Sequence, residues 1–181
     1  MGPRRAKGRP ERGAALDAEP PPGGEPPSPP SSGRGAGGRL SLAVQYACDD
    51  AAVPSRSTLR RWVGKVLDTS VSSVQITLRF VDAEESRAVN REFRGKDSPT
   101  NVLSFPYDPA PALAGDLLLC VPLVLAEAQA QGKEALAHFA HLVVHGMLHL
   151  QGYDHESGID AARMEGRERD ILAKLGYPDP Y

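Results

Sequence analysis

His145-Gly146-Met147-Leu148-His149-Leu150-Gln151-Gly152-Tyr153-Asp154-His155 reads as H-x-x-x-H-x-x-G-x-x-H. On a helix, His145 and His149 stand one above the other on a single face, roughly 5–6 Å apart at Cβ. Gly152 follows as a stop signal, because a residue without Cβ enters the left-handed conformation cheaply. The chain can then reverse and bring His155 under the pair. Three imidazoles converging from a helix and its following loop supply three corners of a zinc tetrahedron and leave the fourth open. The long helix, expected over residues 133–151, also carries His138 and His141, and His141 forms a second i,i+4 pair with His145. Only the His145/His149 pair is followed at once by a glycine stop and a third histidine. His141 reads as a core histidine that donates a hydrogen bond, and His138 as a residue of the helix surface.

Around this helix the pattern is that of a single α+β domain. Residues 40–46 and 74–80 alternate apolar and polar with period two, as half-buried strands do. Residues 102–105, flanked by Pro99 and Pro106, suit a strand near an edge. Residues 107–115 read as a loop, and 116–121 as a buried strand. Helical patterns follow Pro54, start at Asp82 with Glu85 as a capping pair, open near Pro122, and close the chain over residues 159–175. The element order is β-α-β-α-β-β-α-α-α, about four strands in a mixed sheet packed with helices.

Residues 1–38 hold nine of the 17 prolines and nine of the 18 glycines and almost no large apolar side chain. Such a segment buries too little surface to offset its ordering entropy and is expected to be a disordered extension. It lacks the apolar core of a secretion signal. The domain proper, residues 39–181, carries 15 basic and 19 acidic side chains, a net of −4, so its overall charge does not announce a polyanion partner. Cys48 and Cys120 form no C-x-x-C pattern, which argues against a disulfide framework or a thiolate zinc site. The chain has no apolar run long enough to span a membrane, and a reducing cytoplasm is the expected location.

The histidine spacing is that of the metzincin zinc peptidases except at one position. Those peptidases carry Glu directly after the first histidine as general base; here Gly146 stands there and can abstract no proton. Zincin-type peptide hydrolysis is therefore disfavoured. A zinc ion remains a Lewis acid without that glutamate, and phosphodiester cleavage depends heavily on charge stabilisation at the phosphate. A structural zinc in a non-catalytic assembly factor is the other alternative, but closed structural sites use four protein ligands and only three strong ones are present.

HGMLHLQGYDH at 145–155, FRGKDSPTNVLSFP at 93–106, GDLLLC at 115–120 and LGYPDPY at 175–181 together resemble the bacterial rRNA-maturation endoribonucleases of the YbeY family. The resemblance covers about residues 40–181. It implies a zincin-like α+β fold and a single-strand-specific endoribonuclease with one zinc ion on His145, His149 and His155. It also implies a role in maturing the 3′ end of small-subunit rRNA and in late ribosome quality control. The partners implied are single-stranded rRNA, the ribosome, and ribosomal-protein or assembly-GTPase contacts. The family's functional arginine falls on Arg94, whose planar, always charged guanidinium offers a fork to phosphate. Arg91 and Lys96 flank it and are expected to form a local RNA-binding patch. Asp154 and Glu156, beside His155, are candidates to orient a ligand or act as base.

Overall fold

The computed structural model describes residues 40–48, 50–108, 112–155 and 157–181. The proline- and glycine-rich extension, Arg39 and Glu156 lie outside the described residues. The order of elements follows the expectation: β1 (Leu40–Tyr46), α1 (Arg56–Val66), β2 (Ser73–Val81), α2 (Ala83–Arg94), β3 (Val102–Asp108), β4 (Ala112–Cys120), α3 (Val121–Gln131), α4 (Ala135–Leu150) and α5 (Gly158–Leu175).

The sheet runs β1-β2-β4-β3, with β1, β2 and β4 parallel and β3 antiparallel at the edge. Pro106 is tolerated on that edge because a proline has no N–H to contribute to a ladder. β4 starts at Ala112, four residues before the expected start at Asp116, and Tyr107 and Asp108 belong to β3. Of the residues that read as a loop, 112–115 are held in β4 by pairing with β2 on one side and β3 on the other, and 109–111 lie outside the described residues.

Strand alternation divides the core into two layers. One face of the sheet, including Ile76, Leu78, Phe80, Leu113, Leu117 and Leu119, packs against α1, α4 and α5 through Trp62, Phe139, Leu142, Met147 and Leu172. The other face, Val81, Leu103, Phe105 and Leu118, is covered by α2 through Phe93 and Val89. Fully burying side chains of this size stabilises the fold by roughly 1.5–3 kcal/mol each. α4 is consequently apolar on almost every side: twelve of its 16 residues are buried, so it is held rigidly beneath the sheet.

Two glycines set how α4 meets the sheet. A Cβ at Gly146 would lie 2.8 Å from Leu117 Cδ2 and 3.3 Å from Ser104 Oγ, and one at Gly115 would lie 2.8 Å from the Phe105 carbonyl oxygen and 2.9 Å from Leu150 Cδ2. The helix can approach β3 and β4 this closely only because both positions lack a side chain.

Candidate metal centre

Helix α4 ends at Leu150, and Gly152 adopts φ +86°, the left-handed conformation expected of a stop. Its N–H bonds the His149 carbonyl at 2.9 Å, and the Tyr153 N–H bonds the Leu148 carbonyl at 3.1 Å, so the helix end is satisfied as the chain turns. The returning loop is tied down at Asp68, in the connection after α1. The Asp68 N–H donates to Gln151 Oε1 at 2.9 Å, while its carboxylate accepts from Tyr153 Oη at 3.2 Å and from Arg167 at 2.6 Å. Asp154 Oδ1 accepts the His155 N–H at 2.6 Å.

The three histidines meet as the spacing requires. One ring nitrogen from each of His145, His149 and His155 lies within 4.8 Å of the others, and the Nε2 atoms of His145 and His149 are 3.0 Å apart. Nitrogens bound tetrahedrally to zinc at about 2.0–2.1 Å lie about 3.4 Å from one another, so only small ring movements separate this arrangement from a three-histidine site. The donor chemistry agrees. His145 Nδ1 donates to Glu168 Oε1 at 2.7 Å, which turns the other ring nitrogen, Nε2, toward His149 as the atom placed to meet a metal. The His149 ring is pushed down to a pKa of about 4 by burial and by the neighbouring His145 and His155, so at neutral pH it is an uncharged ligand. These residues fit a divalent cation that takes imidazole nitrogen.

Glu168 was not evident from the local motif. It lies on α5, has no exposed surface, and its carboxylate also accepts from Tyr181 Oη and lies 3.5 Å from His141 Nε2. Burial pushes its pKa up, but the hydrogen bond from His145 and the nearby His141 ring outweigh that and hold the carboxyl well below the usual range. The sequence did hold a signal: Met164, Glu168, Ile171 and Leu172 share one buried helical stripe, and an acid in an apolar stripe requires donors.

The other two histidines divide differently. His141 is buried beside Glu168, as expected of a core histidine, but its nearest approach to that carboxylate is 3.5 Å and neither ring nitrogen makes the expected hydrogen bond. His138 departs from its expected surface position: it is only 4% exposed, and its Nε2 pairs with Glu127 Oε2 at 2.8 Å. It is buried because α3 packs across the start of α4 and brings Glu127 over it. Glu127 also accepts from Asn101 Nδ2 at 3.1 and 3.2 Å. The 98–101 segment is fixed in turn to α2, since Ser86 Oγ donates to the Thr100 carbonyl and Asn90 Nδ2 to the Ser98 carbonyl. The polar residues before β3 thus brace α2 and α3.

Arg94 is half-buried in the last turn of α2, next to Phe93, whose ring stands edge-on to Phe105 at 5.2 Å. Arg91 is exposed and 3.9 Å from Asp97, which also receives a two-pronged contact from Arg87 at 2.7 and 2.8 Å. Lys96 is exposed beyond the Gly95 cap.

Acid should destabilise the metal-free protein in two windows. His149 has a folded pKa below its ordinary value near 6.5, so between pH 6.5 and about 4 the unfolded chain binds more protons than the native one and stability falls as pH falls. Glu168 has a lowered folded pKa, so its contribution is present above the ordinary carboxylate value and is lost in stronger acid. Denaturant unfolding of the metal-free protein at pH 7.5, 5.5 and 4 is expected to show a monotonic decline. A midpoint unchanged across this range would contradict the site's protonation pattern.

Residues 44–176 match the family described as Endoribonuclease YbeY. A relative named Endoribonuclease YbeY from Nitrosomonas europaea is 49% identical over 142 residues, covering 78% of this chain and 85% of the relative. One of the same name from Burkholderia ambifaria is 53% identical over 150 residues, covering 78% and 84%. A solution structure from Thermotoga maritima superposes with a TM-score of 0.52 at 22% identity, covering 75% of this chain and 92% of that one, and supports the fold. With the three-histidine centre and four-fifths of the chain aligned to such relatives, the chain belongs to the endoribonuclease YbeY family.

Proposed function

We propose that this chain is a zinc-dependent endoribonuclease that cuts single-stranded RNA, acts in 3′-end maturation of small-subunit rRNA and late ribosome quality control, and works in the cytoplasm on the ribosome. The observation that carries the reading is the convergence of His145, His149 and His155 on one point, with Glu168 fixing the tautomer of His145, in a member of this family. A divalent cation held by the three rings supplies Lewis acidity where negative charge develops on a phosphoryl group. The chain's own part is to hold those rings in place, two on a buried helix and one on the loop that follows it, so that little reorganisation is needed when charge appears. Gly146 leaves the centre without the general base of a zincin peptidase, which favours a substrate whose cleavage depends on charge stabilisation. Arg94 is assigned the phosphate contact, and Arg91 and Lys96 the approach of the RNA backbone. These local cations attract RNA at short range although the domain's net charge is negative, and the attraction weakens with salt.

The direct test is purified protein with one equivalent of zinc, given single-stranded RNA and the same sequence as a duplex. Cleavage of the single strand, abolished by chelation and restored by zinc, is the expected result; no cleavage of free RNA or of RNA on ribosomes overturns the proposal. Arg94→Ala should lower cleavage by about 100-fold, the scale of losing one charge-stabilising donor, while zinc affinity stays unchanged. A variant cleaving at the parental rate removes Arg94 from the mechanism.

A further inference from the structure

Glu168 presents an arrangement that its burial makes costly. A carboxylate without solvent loses several kcal/mol of hydration unless donors replace the water. Among the described residues no lysine or arginine pairs with it; its partners are His145 Nδ1 at 2.7 Å, Tyr181 Oη, and His141 Nε2 at 3.5 Å, the last longer than a well-formed hydrogen bond. The strongest two contacts therefore come from a ring of the metal centre and from a tyrosine far along the chain.

Tyr181 reaches this point because the segment after α5 folds back along the structure. Gly176, at φ +86°, ends α5. Lys133 Nζ then donates to the Pro180 carbonyl at 2.5 Å, and Asp179 pairs with Arg169 at 3.2 Å. The Arg169 guanidinium lies 4.8 Å from the Tyr181 ring centre, and the ring stands edge-on to His141 at 5.5 Å. Tyr181 remains 56% exposed, yet its hydroxyl contacts the fully buried carboxylate. An exposed ring that sends its one polar atom inward has a specific anchoring point.

We propose that Glu168 and Tyr181 are positioning residues for metal binding: Tyr181 Oη holds the Glu168 carboxylate, and Glu168 holds His145 in the tautomer and orientation that present Nε2 to His149 and His155. The inference rests on the three-histidine metal reading and extends it to the segment after α5. A carboxylate on the far nitrogen of a ligating imidazole also raises the ligand's basicity, and losing such a partner typically weakens metal binding by 10–100-fold. Tyr181→Phe deletes one hydroxyl and keeps the ring against His141 and Arg169. Glu168→Gln keeps the side-chain shape but removes its charge.

The test is zinc affinity, by competition with a chromophoric chelator at pH 7.5, together with thermal unfolding of the metal-free and zinc-loaded proteins and the visible spectrum after cobalt loading. Tyr181→Phe is expected to bind zinc about tenfold more weakly and Glu168→Gln 10–100-fold more weakly. Both should shift the cobalt bands, and Tyr181→Phe should lower the melting temperature of the zinc-loaded protein by more than that of the metal-free one. Parental zinc affinity in Tyr181→Phe overturns the tyrosine's role even if Glu168→Gln does not fold. Equal losses of stability with and without zinc, at unchanged affinity, make the pair merely structural and also overturn the proposal. If the parental protein takes up neither zinc nor cobalt, the metal reading itself falls and carries this inference with it.

Discussion

His149→Ala is expected to lose specific zinc binding and, with it, RNA cleavage, while keeping its fold. The ring is one of three that converge within 4.8 Å, and two imidazoles alone leave half of a tetrahedral shell to solvent. The loss should exceed the ~100-fold upper range seen when only a supporting partner of a ligand is removed. The fold should survive because His149 lies at the partly exposed end of α4, outside the apolar cluster formed by Phe139, Val143, Val144 and Met147. Equilibrium dialysis, melting temperatures with and without zinc, and single-stranded RNA cleavage measure the three consequences. Zinc at 100 times its dissociation constant should stabilise the parental protein by about 2.7 kcal/mol, and the variant should show almost none of this. Undiminished zinc stabilisation in the variant would remove His149 from the centre.

Gly146→Glu is the second large effect, and its direction is opposite to what motif comparison suggests. Adding the zincin glutamate should not create a peptidase; it should destabilise the domain. A Cβ at this position already lies 2.8 and 3.0 Å from the two Leu117 methyls and 3.3 Å from Ser104 Oγ, so the side chain enters the packed contact between α4 and the β3–β4 edge. Overpacking costs about 1–3 kcal/mol, and a buried carboxylate without a cation adds more. A loss of at least about 3 kcal/mol corresponds to a fall of roughly 10 °C in Tm for a domain of this size. Thermal unfolding and a zinc-supplemented assay on an unfolded protein substrate check both halves. A stable variant with peptidase activity would show that only the missing acid separates this centre from a zincin.

The histidine motif was readable because its contacts are local. His145 and His149 are one helical turn apart, Gly152 stops the helix by its own backbone freedom, and His155 follows within a short loop. The two clearest strands were readable for the same reason, since alternation with period two is a property of neighbouring residues. The resemblance through FRGKDSPTN and LGYPDPY pointed to the family without showing what those residues touch. In the folded protein, Asn101 holds Glu127 against His138, and Tyr181 bonds Glu168.

The order of elements, the helix-stop-return geometry of the three histidines and the absence of a glutamate beside the first of them follow from residues close together in the chain. Tertiary structure alone decided that β4 lies between β2 and β3, that His138 is buried, that Gly146 faces Leu117, and that Glu168 orients His145 from α5. The division follows the range of the interactions. Helical and strand periods are set by residues a few positions apart, whereas a buried carboxylate finds its imidazole, and a helix its close approach, only after distant segments have packed.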